Sequence, residues 1–479
     1  MSIDPFTTAT GMLDALQRRE VSSRELVEMH LERISRIDGR LGAFCEVTAD
    51  MARDAARRAD DARDAGAHGA LLGLPLTLKE STRIAGVAQT AGMPEWANHR
   101  PASDGPVASR VRTAGACLLG TTNVSEALDD WQATNPIYGR TVNPWDATRT
   151  PGGSTGGGAA ALAAGLTPLE VGSDIGGSVR VPAAFCGVYG HRPSETAVPR
   201  AGAFPCADVA NPAAVLGVQG PLARSAADLE LLLDVIAGAH DDDASAWRLE
   251  LPPPRHDRLD SFRVASMPPM PWVTVSASIT TTIDDLAALL RSAGAQVATV
   301  MPELDLERAL ADYSSLLAAL TSTTMTRDER ERRGTRAREL DPTRGRATAT
   351  GLTFDAAELV LLLDRRARDR EVWRQFFTDW DVLVAPITLD VAFEHLDGPF
   401  STRVLHVDGV DVAYPLHVVP SMWAAHGGLP ATAIPAGHGM GGLPIGIQLI
   451  GPYLEDRTPL ALARLLEREW HSFTPPPGY

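Results

Sequence analysis

Apolar positions recur at helical spacing over residues 7–19 and 22–37, where Leu26, Met29, Leu31 and Ile34 form a stripe. Ser22-Ser23-Arg24-Glu25 sets a hydroxyl three residues before a glutamate, a capping box that predicts where the second helix starts. Residues 48–65 predict a charged, alanine-rich helix. Gly73-Leu-Pro-Leu-Thr-Leu-Lys79-Glu80 then alternates apolar and polar positions, which predicts a strand ending on Lys79. A helix over 105–114 leads to a buried strand over 115–120. The loops 85–100 and 131–145 are polar and aromatic, a composition suited to lining a cleft. A close-packed helix is expected over 156–165, then a strand over 169–172 and a short helix after Ser178. Ser225 predicts the cap of a helix reaching Ala237, and residues 239–260 a polar surface connection. Strand 262–266, helix 279–293 and strand 296–301 follow in β-α-β order, which predicts parallel pairing through crossover helices. Residues 304–378 predict arginine-rich helix with an interruption near Gly334 to Gly351. Strands at 382–386, 431–435 and 443–450 and a helix over 457–470 complete the pattern.

The chain has 479 residues and a formal net charge of −16. That charge argues against nucleic-acid or anionic-membrane binding through a basic surface. Cys45, Cys117, Cys186 and Cys206 are widely spaced with no CxxC pair, so they read as reduced thiols. The N-terminus lacks a basic segment followed by an apolar one, and no run approaches about 18 apolar residues. The expectation is a cytoplasmic protein with no membrane partner.

Two features carry chemistry. The stretch Thr150 to Pro193 embeds Ser154 and Ser178 in glycine, which lets backbone N–H groups approach a ligand closely. A hydroxyl beside such donors is what acyl transfer needs. The second feature is Lys79. All but one of the 44 basic residues are arginine, and Lys79 is the exception. Arginine cannot give up its proton, whereas a buried lysine can. Pairing of Lys79 with Glu80 is the plainer alternative.

GLPLTLKE with Lys79, PGGSTGGGAAALAAG with Ser154 and GSDIGGSVRVPAAFCGVYG with Ser178 together resemble the amidase signature family of serine hydrolases. The C-terminal GGLPATAIPAG and GGLPIGIQLIGP segments resemble it too, so the likeness covers nearly the whole chain. The resemblance implies one α/β domain over 1–479, with a mixed, largely parallel, twisted central sheet flanked by helices on both faces. Residues 75–195 would form its catalytic core, 1–65 its N-terminal helices and 300–430 a variable substrate-side region. It implies Ser178 as nucleophile, Ser154 as bridging serine after a cis peptide bond, and Lys79 as base. Ile175, Gly176 and Gly177 would supply the oxyanion hole together with the Ser178 N–H, and Asp174 and Arg180 a supporting pair. Met93, Trp131, Gln132, Thr155 and Met422 are expected to line the substrate pocket. No metal or cofactor is called for, and the partner is a small-molecule amide or carbamate. The oligomeric state is open between monomer and homodimer. The chain departs from the common family pattern at Thr155 and Gly158, where serine is frequent, at Glu80, where aspartate is usual, and at His191-Arg192, where Leu-Lys is frequent.

The reading is an amide hydrolase for a small or medium amide, with aryl amides, carbamates and esters within the same chemistry. Two alternatives stand beside it. One is the A-type subunit of a tRNA-dependent amidotransferase complex, which shares this signature. The other is an α/β-hydrolase esterase, because Gly152 to Gly156 matches G-x-S-x-G around Ser154, with His417 or His426 as partner. That match lacks a strand before the serine and leaves Lys79 unexplained.

Overall fold

The computed structural model describes residues 3–205, 215–240, 243–270, 272–341 and 344–479. Eleven strands form its central sheet. In chain order they are β1 (Phe44–Val47), β2 (Pro75–Lys79), β3 (Cys117–Thr122), β4 (Leu169–Asp174), β5 (Tyr189–Arg192), β6 (Val218–Ala223), β7 (Arg263–Ser266), β8 (Gln296–Thr299), β9 (Val382–Pro386), β10 (Ala431–His438) and β11 (Pro444–Ile450). Across the sheet they run β1-β3-β2-β4-β6-β5-β10-β11-β9-β7-β8.

The sheet is the mixed α/β sheet expected. Its parallel ladders form two blocks, β3-β2-β4 on one side and β9-β7-β8 on the other. The ladders from β4 to β9 through β6, β5, β10 and β11 are antiparallel, as is β1 with β3. The β-α-β order of β7, the helix Ala277–Ser292 and β8 gives the parallel pair it implies. β10 and β11 form a hairpin, and hairpins can only be antiparallel. β1, β5 and β6 carry no clean alternation in sequence, and Gly190, Gly220 and Pro221 mask β5 and β6.

Helices cover both faces, each face with its own apolar core. Leu76, Leu78, Leu169, Val171, Ile447 and Leu449 point into one core, with the helices Ala226–Ile236, Ala277–Ser292 and Arg457–Glu469. The other core holds Leu162, Val179, Phe185, Trp373 and Trp423, from helices Gly156–Ala163, Arg180–Cys186, Ala356–Asp379 and Val419–Gly427 and the turn just before the second of them. Side chains alternate across a strand. With Leu76 and Leu78 in the first core, Thr77 and Lys79 are directed to the opposite face.

The predicted caps hold. Ser22 Oγ accepts from the Glu25 N–H while Glu25 reaches back to the Ser22 N–H, and Ser225 Oγ accepts from the Asp228 N–H. The expected interruption near Gly334 to Gly351 is met at Asp341, which ends the helix Arg327–Leu340. Among the described residues, helices Leu306–Thr321, Arg327–Leu340, Arg344–Thr353 and Ala356–Asp379 are separated by breaks around 322–326, at Asp341 and around 354–355. Gly334, Gly345 and Gly351 lie inside helices, where a Cβ would press on Ala349, Ala337 and Ser315 of neighbouring helices. Here glycine serves close helix contact rather than chain breaking. Cys45, Cys117 and Cys186 are free thiols, and Cys206 lies outside the described residues. No helix among the described residues is long and apolar enough to cross a membrane.

Candidate active site

Lys79 ends β2 with its side chain wholly buried. Its Nζ lies 2.7 Å from Ser154 Oγ and 2.8 Å from Ser173 Oγ. Burial lowers its pKa to about 7, against the pull of Asp174, Glu170 and Glu80. About half the molecules would then carry a neutral amine at pH 7, against about one in a few thousand for an exposed lysine. The rival pairing with Glu80 is absent. Glu80 turns to the neighbouring loop, where it accepts from the Thr90 N–H and Oγ1 at 2.6 Å, the Ala91 N–H at 2.8 Å and the Tyr138 hydroxyl at 3.1 Å.

Ser154 sits in a loop just before helix Gly156–Ala163, and the Gly153–Ser154 peptide is cis. The Thr155 N–H donates to the Ser178 carbonyl at 3.2 Å, which ties the two serine loops together. Ser178 is 6% exposed, and its hydroxyl has no hydrogen-bond partner among the described residues.

Asp174, at the end of β4, shapes the loop that carries Ser178. Its carboxylate accepts from the N–H groups of Gly177 at 3.0 Å, Val179 at 3.2 Å and Arg180 at 3.4 Å. Arg180 grips both carboxylate oxygens, at 2.8 and 2.9 Å. Arg192 of β5 adds a bond to the Asp174 carbonyl at 2.8 Å. Burial alone would push the Asp174 carboxyl up, but Arg180 and Arg192 hold it far below the usual range. Gly177 has φ +99°, where a side chain would be strained, and a Cβ would lie 2.9 Å from Ser421 Oγ.

One expected oxyanion donor is already engaged. The Gly177 N–H points at Asp174, so the N–H groups of Ile175, Gly176 and Ser178 are those without a partner among the described residues of this loop. Two peptides of the loop are held through their carbonyls, the one that bears the Gly176 N–H and the one that bears the Gly177 N–H. Tyr313 donates its hydroxyl to the Ile175 carbonyl at 3.0 Å. Trp131 Nε1 and Ser421 Oγ donate to the Gly176 carbonyl at 3.0 and 3.1 Å.

The five expected pocket residues fare differently. Trp131 reaches the Ser178 loop and packs on Phe400, Tyr414 and His417 at ring separations of 5.4, 5.4 and 5.1 Å. Met93 keeps a sliver of exposed surface in the 90s loop. Gln132 does not offer its amide outward, since both ends are bound to the Leu396 backbone at 2.8 and 2.9 Å. Thr155 packs its methyl on Gly172, and Met422 is wholly within the core. Thr155 and Met422 are taken up by packing, and Gln132 by its two bonds to the Leu396 backbone.

Ser173, Tyr313, Arg192 and Ser421 were not legible as site residues. Ser173 carried a signal, a hydroxyl beside Asp174 at a strand end. Tyr313 and Ser421 carried none, because long chain separations bring them in. The histidines do not serve Ser154. His426 Nε2 bonds Asp369 at 2.8 Å, and the buried His417 has neither ring nitrogen partnered among the described residues.

The amidase family model matches residues 25–460. The A-type subunit of the glutamyl-tRNA(Gln) amidotransferase of Synechococcus sp. (strain CC9605) is 33% identical over 98% of both chains. An s-triazine catabolic enzyme, solved inhibitor-bound in a vestigial protein complex, superposes with a TM-score of 0.81 at 27% identity, covering 98% of this chain and 99% of that one. The native peptide amidase of Stenotrophomonas maltophilia superposes with a TM-score of 0.75 at 25% identity, over 98% of both chains. A family match over most of the chain, a sheet and helices shared with such enzymes, and a lysine buried against the signature serine lead to one assignment: this chain belongs to the amidase signature family.

Proposed function

We propose that this protein hydrolyses a small or medium amide through an acyl-enzyme on Ser178. The observation that carries the reading is the buried contact of 2.7 Å between Lys79 Nζ and Ser154 Oγ. A neutral Lys79 takes the Ser154 proton, and Ser154 takes the proton of Ser178. The Ser178 oxygen then bonds to the substrate carbonyl carbon. The N–H groups of Ile175, Gly176 and Ser178 receive the oxyanion, each such donor being worth about 3–4 kcal/mol in comparable sites. As the tetrahedral species collapses, the C–N bond breaks and the relay returns its proton to the leaving nitrogen. Water repeats the cycle at the acyl-enzyme, releasing the acid and restoring Ser178.

The ring cluster of Trp131, Phe400, Tyr414 and His417 beside the Gly176 carbonyl supports an aryl or alkyl acyl group. Aryl amides, aliphatic amides and carbamates tested side by side would rank the substrates, with aryl amides expected first. The decisive experiment is labelling with a fluorophosphonate probe. Ser178 alone is expected to be modified, and modification of another serine would remove the proposal.

A second reading has a specific observation behind it, the 33% identity with an amidotransferase A-type subunit along the whole chain. On that reading the chain would deliver ammonia within a complex. Purification alone separates the two. A hydrolase active without partners supports the first reading, and activity only with added partner proteins and charged tRNA supports the second.

A further inference from the structure

Glu170 shares a face of the sheet with Lys79, and the chemistry proposed above gives it no task. It is wholly buried on β4. β4 runs parallel to β2 with Thr77 opposite Glu170, and Lys79 follows Thr77 by two residues on the same face. Across β2, Thr122 lies opposite Lys79 and donates its hydroxyl to Glu170 Oε1 at 2.7 Å. The Glu170 side chain therefore spans β2 toward Thr122 and runs beside the Lys79 stem. Its Oε2 is buried with no hydrogen-bond partner among the described residues.

The helix Gly156–Ala163 closes over this carboxyl with Gly158. A Cβ at Gly158 would lie 2.6 Å from Glu170 Cδ and 2.7 Å from Oε1. The departure from serine at Gly158 is thus half of a pair: the glycine makes room and the glutamate fills it. A buried carboxylate oxygen without a donor is costly unless a proton or a cation compensates. Other ionisable groups are committed elsewhere. Glu80, the residue after β2, is turned to Thr90, Ala91 and Tyr138. Asp174 on β4 is held by Arg180 and Arg192. Cys45 of β1 stays a neutral thiol, its pKa raised by burial, and the covering helix bears no ionisable residue. Lys79 is the cation at hand. Burial raises the Glu170 pKa to about 7, with the hydroxyls of Thr77 and Thr122 and then the charge of Lys79 opposing that rise.

We infer that Glu170 is a positioning residue for the reaction, a buried counter-charge, besides Asp174, to the ammonium that forms when Lys79 accepts the Ser154 proton. The inference rests on the proposed Ser178–Ser154–Lys79 relay. In that step the Ser154 O–H bond breaks as an N–H bond forms on Lys79, and Glu170 neither gives nor takes a proton. Its carboxylate favours the charged amine, so it makes Lys79 a stronger base and holds its stem against β2.

The test follows the rate of fluorophosphonate labelling at Ser178 against pH, in the parent protein and in Glu170→Gln. The amide keeps the shape and removes the charge. Lys79 then loses its proton more readily, so the midpoint of the rising limb is expected to fall by about one pH unit, with a plateau rate about tenfold lower. A midpoint that stays or rises overturns the inference, whatever the plateau does, because a packing role would not move it downward. Should Glu170→Gln fail to fold, the double variant Glu170→Ala with Gly158→Ser, which refills the space, is judged by the same midpoint. If the parent is not labelled at Ser178 at all, the relay itself fails. A labelled parent with an unmoved midpoint refutes only the role of Glu170.

Discussion

At the residue scale the proposed mechanism depends on Lys79 being neutral. Lys79→Arg keeps a cation of similar reach but cannot shed its proton. It is expected to lower Ser178 labelling at least about a thousandfold, with unfolding by heat little changed. The same burial links Lys79 to stability. Its folded pKa of about 7 lies below the 10.5 usual for a lysine. Between those limits the unfolded chain holds a proton that the folded one has lost, so stability rises with pH across that window. Glu170 acts in the opposite sense between 4.5 and about 7, where the folded form holds the extra proton. Urea unfolding at pH 7 and pH 9 is expected to show a gain for the parent that Lys79→Met lacks. Trp131→Phe deletes the bond to the Gly176 carbonyl while keeping a ring. A loss of about tenfold in kcat/KM is expected, in line with one buried hydrogen bond.

At the element scale, β2 and β4 present two adjacent polar stripes to the helix Gly156–Ala163, and glycines set how closely that helix lies on them. Gly158→Ala should destabilise by about 1–3 kcal/mol through overpacking on Glu170. In a Glu170→Ala background the loss should vanish, and a denaturant double-mutant cycle measures this. The turn from β4 into Arg180–Cys186 is held by Asp174, whose carboxylate serves three N–H groups and two arginines. Asp174→Ala leaves Arg180 buried without its partner. A cost of about 3–5 kcal/mol is expected, with loss of Ser178 labelling.

At the scale of the whole molecule, the sheet order places β2, β3 and β4 together although residues 80–116 and 123–168 separate them in the chain. Tyr313 and Ser421, far along the chain, then fix the carbonyls of Ile175 and Gly176 from behind. The region 300–430 thus serves the Ser178 loop as a backing.

Sequence alone determined what depends on near neighbours. Period-two alternation put Leu76 and Leu78 on one side of β2 and Lys79 on the other, the Ser22 and Ser225 hydroxyls marked helix starts, and one lysine among arginines marked the proposed base. Only the tertiary structure decided which partners meet. Ser173 rather than Glu80 joins Ser154 at the amine, Asp174 rather than an oxyanion claims the Gly177 N–H, and Gly334, Gly345 and Gly351 pack helices instead of ending them. The reason is physical: alternation and capping are written in adjacent residues, whereas a hydrogen bond or a close approach across tens of residues is settled when the layers pack.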